Sequence, residues 1–499
     1  MSNVLSIPPP LPTGAAAIVR RDFPGWLSPM LVKELRQGLR TRGFVAALMI
    51  FQTIMLVLMI GALGAQSAVA VNGRPMTGMT TGFFWTLMLV QLIVVTPARA
   101  LGGLQLEVES RTLDLLMLTR LNAWRVVLGK WISLLVQATL LLVAMLPYLV
   151  VRYFTDNADV LADFGRCLAM LGLCGVLTAA GLWASGIAKI LRVVIVILLV
   201  FGAQALGVSF TARMFGTRSP FGSIGLGGVF SSPFAIIDAV LLTAFFLVSA
   251  VRNIAPPAEN HAFFVRMLPV ILLVTAPLAQ VLGGHDIALQ QLMMGAVFLA
   301  FVLLIELAIA RVPMAPHWRA WRRRGPVLQF VGRASLPGWQ SALLWSVGAV
   351  ALWALLALML IPTGSVSSRR DAEQAAHAAL LALGGLTFPV VLRALWGRVT
   401  GSGAVFLAGL LGPGLLTLVS VWLAEGSPFK FTGMRTVMQV LPVSSFLLGF
   451  DTRQLPPVTS ALAATVAVAT VAFALWQARG HWRLIKEFDA RDRGEAPRG

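Results

Sequence analysis

The strongest constraint on this chain is a succession of apolar runs, each of membrane-crossing length, separated by shorter charged segments. They lie near 44–64, 80–97, 130–151, 165–187, 191–209 and 233–251. A second set follows near 264–283, 289–310, 340–361, 376–395, 403–423 and 457–478. A hydrocarbon core about 30 Å thick is crossed by roughly 20 helical residues at about 1.5 Å each. With no water in that core to satisfy backbone N–H and C=O groups, such runs fold as helices. Hydrophobic residues make up 58% of the chain and charged residues 12%, against roughly 25% charged in soluble domains. The expected fold class is all-α: a polytopic integral membrane protein with about twelve transmembrane helices in two six-span halves.

The net charge of +19 comes from 39 Lys and Arg against 20 Asp and Glu. With the N-terminus inside, most of the basic residues fall on cytoplasmic segments, among them Arg20 to Arg42, Arg99 to Lys130, Arg311 to Arg333 and Arg479 to Arg498. The positive-inside rule accounts for that excess, so nucleic acid is not expected as a partner. Both termini are then cytoplasmic, in the cell (inner or plasma) membrane. The acidic turn with Asp156, Asp159 and Asp163 falls outside. The run at 233–251 is the weakest span, because it opens with Ser231-Ser232-Pro233 and holds Asp238. Omitting it would put Arg319, Arg322, Arg323 and Arg324 on the external side, which argues for keeping it.

The domain organisation follows. Residues 1–43 form a cytoplasmic tail with an interfacial helix, and 44–251 a first six-span half containing the charged loop 98–130. Residues 252–262 (RNIAPPAENHA) are a polar linker, 263–478 the second half and 479–499 a basic tail. FPGWLSPML at 23–31 is echoed by LPGWQSALL at 336–344, but the flanks do not follow, and chance is the simpler explanation. The Gly- and Ser-rich segment 210–232 is too interrupted to span and reads as a loop or a re-entrant cap.

Several chemistries are excluded. Cys167 and Cys174 are seven apart on one helix face, where a disulfide has no acceptable geometry, and they read as small packing residues. The five histidines are scattered without ligand spacing, so no metal site is expected. The Pro-rich N-terminus lacks the pattern of a cleaved signal. No GxxxxGK[ST] occurs; Gly129-Lys130 is followed by Trp131. No paired carboxylates or nucleophile–base pair appear either. The chain is therefore not expected to be an enzyme, nor to bind a cofactor itself.

Two segments stand out. Ser28 suits a helix N-cap and Pro29 the first helical position. Leu31, Leu35 and Leu39 then form one apolar line, with Lys33, Arg36 and Arg40 elsewhere around the wheel. Such a helix lies among lipid headgroups, so membrane lipid is a partner. The loop 98–130 contains EVESRTLDLLMLTRLNAWRVVLGK from Glu107 to Lys130. Glu107 pairs with Arg111 at i, i+4, and Arg111 with Asp114 at i, i+3. Leu113, Leu116 and Met117 make an apolar patch. A short helix of this kind either fits a groove on a soluble partner or packs on its own protein. Asn122 reads as the N-cap of the next helix. That places Arg125 at the third position, against the helix dipole, which points either to a different start for that span or to an acidic partner. Within the spans, Asp238 and Glu306 are the ionisable candidates, both nearer span ends than centres.

The pattern E-x-E-S-x-T-L-D-L-L-x-L-T followed by a capped helix, with S-P-x-L-x-K-E-L-R ahead of the first span, resembles ABC-2-type transporter permeases. The likeness covers residues 23 to about 151, and the rest of the first half by span count. It implies the membrane subunit of an ATP-driven exporter, with ATP and Mg on a separate ATPase subunit and the pore shared with a second permease chain. By the same likeness, Glu107, Glu109, Arg111, Thr112, Asp114, Leu115 and Leu116 meet the ATPase. Ser28, Pro29, Lys33, Glu34 and Arg36 form the elbow helix. The second half carries no copy of the coupling segment. Competing readings are an ion-coupled secondary transporter built from two repeats and a non-transporting membrane scaffold.

Overall fold

The computed structural model describes residues 29–72, 84–85, 87–104, 122–156, 160–186, 234–256, 259–283, 314–322, 325–360, 457–477 and 479–492, with 288, 291, 295 and 302. All secondary structure among them is helical. In chain order these are α1 (Pro29–Arg40), α2 (Arg42–Asn72), a π-helical turn (Val90–Val95) and α3 (Thr96–Ala100). Then come α4 (Ala123–Asp156), α5 (Val160–Ser185), α6 (Ala235–Ile254) and α7 (Ala262–Gly283). They are followed by α8 (Ala315–Arg322), α9 (Pro326–Ala334), α10 (Trp339–Leu360), α11 (Pro457–Gln477) and α12 (Arg479–Asp492). Six of them, α2, α4, α5, α6, α7 and α10, contain stretches long and apolar enough to cross a membrane. The chain is accordingly a multi-pass helical membrane protein.

Local signals explain the breaks between elements. Thr41 separates α1 from α2: its hydroxyl donates to the Gly38 carbonyl at 2.7 Å, and its own carbonyl accepts from Phe44 at 3.0 Å. Asn122 caps α4 as expected, its Oδ1 accepting the Trp124 N–H at 3.4 Å. Pro147 in α4, and Pro269 and Pro277 in α7, sit inside membrane-length helices, where proline is tolerated more readily than in soluble helices. Arg266, at the start of the second turn of α7, is fully buried and donates to the carbonyls of Ala334, the last residue of α9, and Gly338, just before α10. Gly338 has φ 119°, a left-handed conformation that favours glycine.

Two apolar clusters share α4 and α5. In one, Phe51 and Met55 of α2 meet Phe84, Trp85 and Leu92, together with Leu142 of α4 and Cys167 and Cys174 of α5. The other joins Val127 and Trp183 to Phe245 and Val251 of α6, Leu272 of α7 and Trp353 of α10. A third, smaller cluster gathers α8 and α12 through Trp318, Leu336 and Ile485. Close approach depends on small residues, the usual means of association in lipid. A Cβ added at Gly181 would lie 2.9 Å from both the Pro97 carbonyl oxygen and the Ala100 Cβ.

Several expectations are refined. The helix expected over 130–151 begins already at Ala123, and the uncertain run at 233–251 is helical as α6. The runs at 191–209, 376–395 and 403–423, most of 289–310, and the segment 210–232 lie outside the described residues. The two copies of the nine-residue echo lead into different elements. Trp339 opens membrane-length α10, whereas its counterpart copy ends inside short α1. Asp163 is not part of a solvated acidic turn. It sits in the first turn of α5, buried, accepting from Arg152 Nη1 at 2.8 Å and Arg166 Nη1 at 2.5 Å. The buried Arg152 guanidinium also lies 4.9 Å from the Phe84 ring centre and 5.5 Å from that of Trp85. Aromatic faces lower the cost of burying it.

Removing one member of such a group leaves a buried charge uncompensated. Asp163→Ala is expected to cost about 3–5 kcal/mol, read by denaturant titration in detergent micelles, and Asp163→Ala with Arg152→Met should recover much of the loss. A packing test runs along the same helix. Gly181→Val is expected to destabilise by about 1–3 kcal/mol, because its neighbours are backbone and a Cβ. Gly172→Ala, which meets open space, is expected to leave the transition unchanged or raise it slightly, since Ala suits a helix interior better than Gly.

Candidate functional site

The two flanks of the charged segment meet at one place. On the way out, α3 ends at Ala100 and a turn carries the chain to Leu104; on the way back, α4 starts at Ala123. Ala100, Leu104, Val126 of α4 and Leu182 of α5 form one fully buried cluster, with Trp131, Leu134 and Ile254 packed against it. The two flanks of 105–121 are therefore fixed to each other and to the end of α5. Gly103 permits this approach, since a Cβ there would lie 3.0 Å from Leu182 and 3.1 Å from the Ala100 carbonyl. Asn253 Nδ2 donates to the Trp183 carbonyl at 3.2 Å, tying in the end of α6. Trp131 Nε1 donates to the Gly175 carbonyl at 3.0 Å.

Helix α1 is clasped onto the same joint. Glu34 Oε1 accepts from Lys130 Nζ at 3.1 Å, with side chains only 17% and 9% exposed. One turn further, Gly38 faces Gln137: a Cβ there would come within 2.2 Å of Gln137 Nε2. Leu31 and Leu35 are buried on this inner face, while Lys33, Arg36 and Arg40 are exposed on the other. The Arg99 guanidinium, at the departure point of the segment, lies 5.4 Å from the Phe44 ring centre at the start of α2. Farther along, Gln52 Nε2 of α2 donates to the Ala144 carbonyl at 3.1 Å, and the Tyr148 hydroxyl donates to the Gln52 carbonyl at 3.3 Å. Both contacts hold α2 to α4.

Of the residues singled out from the sequence, Pro29, Lys33, Glu34 and Arg36 lie on α1 as the first turns of one amphipathic helix. Ser28, the segment Glu107, Glu109, Arg111, Thr112, Asp114, Leu115 and Leu116, and Glu306 lie outside the described residues. Arg125 does not find an acidic partner among the described residues: it is exposed on the first turn of α4. Asp238 is more enclosed than its place near a span end suggests, at 3% exposure. Its Oδ2 accepts from Gln291 Nε2 at 2.8 Å, and Gln291 Oε1 accepts from the Thr275 hydroxyl at 3.0 Å. Asp238 Oδ1 has no hydrogen-bond partner among the described residues.

Sequence reasoning missed Lys130, Gln137 and Gly38 as members of this joint. Lys130 and Glu34 are 96 positions apart, and nothing local pairs them. Gly38 did carry a signal: a glycine inside a helix costs about 1 kcal/mol relative to Ala and often marks a close approach.

The Glu34–Lys130 pair lends itself to a charge swap. Glu34→Lys and Lys130→Glu are each expected to loosen α1, and the double variant to restore it, with a coupling energy of about 1–3 kcal/mol. A double-mutant cycle on denaturant midpoints in micelles checks this. The chain matches no family model, no curated protein and no solved structure.

Proposed function

We propose that this chain is the membrane permease subunit of an ATP-driven ABC-type exporter, of about twelve spans in two halves with both termini cytoplasmic. It couples to a separate ATPase through the segment between spans two and three. The observation that carries this reading is the joint: the flanks of 105–121 are packed together at Ala100, Leu104 and Val126, and α1 is clasped onto the same helix through Glu34 and Lys130. A segment held at both ends by membrane helices passes a push to those helices rather than absorbing it. The residues expected to meet the ATPase are those of the E-x-E-S-x-T-L-D-L-L run, Glu107 to Leu116. ATP and Mg belong to the partner, and a second permease chain completes the pore. An ATPase with a P-loop encoded next to this gene is expected to co-purify with the chain. Glu107→Ala/Asp114→Ala should cut that association at least about tenfold, as expected when charged contacts at an interface are lost. Unchanged association with unchanged stimulation of ATP hydrolysis would overturn the assignment.

One observation favours a second reading, an ion-coupled carrier: the enclosed Asp238–Gln291–Thr275 chain, whose carboxyl oxygen Oδ1 lacks a partner among the described residues. An ionisable group inside a span is a functional candidate by default. On that reading, vesicles holding the chain without any ATPase accumulate substrate on an imposed ion gradient, and Asp238→Asn abolishes the accumulation. On the exporter reading, uptake requires ATP and the ATPase, and Asp238→Asn retains it.

A further inference from the structure

We propose that Asp238 is a proton-binding site, which holds its proton through a half-turn of the Gln291 amide and passes the change to α7. The proposal names the ion of the carrier reading, but it stands on the hydrogen count of the network and holds or fails apart from transport. Asp238 is 3% exposed and Gln291 fully buried. Gln291 Nε2 lies 2.8 Å from Asp238 Oδ2, and Gln291 Oε1 lies 3.0 Å from the Thr275 hydroxyl oxygen. That hydroxyl is also 2.6 Å from the Leu272 carbonyl. It has one hydrogen and cannot serve both acceptors. With Asp238 ionised, Gln291 must offer its N–H to the carboxylate. Thr275 then faces two oxygens, and one of them is left without a hydrogen. Asp238 Oδ1 meanwhile has no donor among the described residues, a costly state for a buried charge.

Adding one proton resolves the count. An amide's oxygen and nitrogen fill nearly the same space, so Gln291 can turn its amide and move no other heavy atom. Asp238 Oδ2–H then donates to Gln291 Oε1, Gln291 Nε2 donates to the Thr275 oxygen, and the Thr275 hydroxyl donates to Leu272. Each of these three hydrogens has one acceptor, and Oδ1 is left as an uncharged carbonyl oxygen. A metal ion fits the place poorly: calcium and magnesium take six or more oxygens, and among the described residues only these three side chains offer any. Phe234, Ala279 and Ala288, each about one turn from a member of the network, form a buried apolar cluster.

No other charged or titratable side chain among the described residues is bonded to Asp238. Arg252 stands fourteen positions along α6, and Arg266 nine positions before Thr275 on α7. On α4 and α5, Asp163 is bonded to Arg152 and Arg166, Lys130 to Glu34, and Tyr148 to the Gln52 carbonyl. Cys167 and Cys174 pack toward α2, and Arg125 and Tyr153 are exposed. Loss of the proton to water reverses the amide turn and calls the Thr275 hydroxyl away from Leu272. That stretch of α7 lies between Pro269 and Pro277, and Pro277 has no N–H to offer the Leu273 carbonyl. One proton on α6 therefore changes the hydrogen bonding of α7 where that helix is already short of a bond.

The test reads the proton itself, by infrared difference spectroscopy on the full-length protein in mild detergent at neutral pH. Wild type is expected to show the carbonyl stretch of a neutral carboxylic acid that Asp238→Asn lacks. Asp238→Asn keeps the shape of the side chain, and an unchanged thermal transition shows that the loss belongs to residue 238. Should that variant not fold, Gln291→Leu gives the same reading: the acid stretch should persist and move to higher frequency as the Asp238 O–H loses its acceptor. The proposal is overturned if wild type and Asp238→Asn share the same acid region, or if Gln291→Leu leaves the stretch unmoved. It is also overturned if millimolar sodium or calcium abolishes the stretch at constant pH, since the site would then take a metal ion. Transport enters none of these readings, so their outcome is separate from that of the vesicle experiments.

Discussion

The close approach of α5 to the Pro97–Ala100 turn is the contact on which the rest of this bundle is arranged. In lipid, burying apolar surface gives little advantage, because the surrounding tails are as apolar as the side chains. Helices then associate where their backbones come near enough for dense van der Waals contact. Gly181 supplies that here, with room for no Cβ between it and the Pro97 carbonyl. Ala179, Ala180 and Ala184, all buried, keep the same stretch of α5 narrow. Trp183 and Leu182 then reach past the small residues into two different clusters. One thin helix thus sets the positions of α3, α4 and α6 at once.

The two ionic contacts of α4 acquire a common meaning from its length. Its 34 residues extend about 50 Å, well beyond a hydrocarbon core of about 30 Å. Lys130 bonds Glu34 near one end, and Arg152 bonds Asp163 near the other. Twenty-two positions separate Lys130 from Arg152, which at about 1.5 Å each is roughly 33 Å. The charged clasps therefore stand about one hydrocarbon thickness apart, where each can sit at a membrane surface while the stretch between them stays apolar. Cation–π contacts of Arg152 with Phe84 and Trp85 fit the aromatic enrichment of such boundaries.

What was legible in the sequence was whatever depends on neighbours along the chain. Apolar length marked α2, α4, α5, α6, α7 and α10; Asn122 marked the start of α4; Pro29 and the leucine line marked α1. The burial of Asp163 is not legible, because a carboxylate in a polar stretch looks the same whether water or an arginine eleven positions earlier neutralises it. Asp238 does lie near a span end, in the first turn of α6, but its enclosure is not legible, because distance from a span end says how near water is along the helix, not what packs beside it. The joint of Glu34 with Lys130 and of Gly38 with Gln137 depends on how two helices cross, and no single-helix periodicity carries that. The segment Glu107 to Leu116 stands on its residue pattern, and the described structure adds the geometry of its two flanks.

The π turn at Val90–Val95 has a mechanical consequence for those flanks. Thr96 closes it, its backbone N–H and its hydroxyl both turned to the Gln91 carbonyl, the hydroxyl at 3.0 Å. Such a turn holds one residue more than α geometry would place along the same helix. Converting it to α would swing everything beyond Thr96 by about 100° and advance it by about 1.5 Å. Arg99 would come away from the Phe44 ring and Ala100 from Gly181. The helix carries a spare residue of slack, stored just ahead of the Ala100–Leu104 flank.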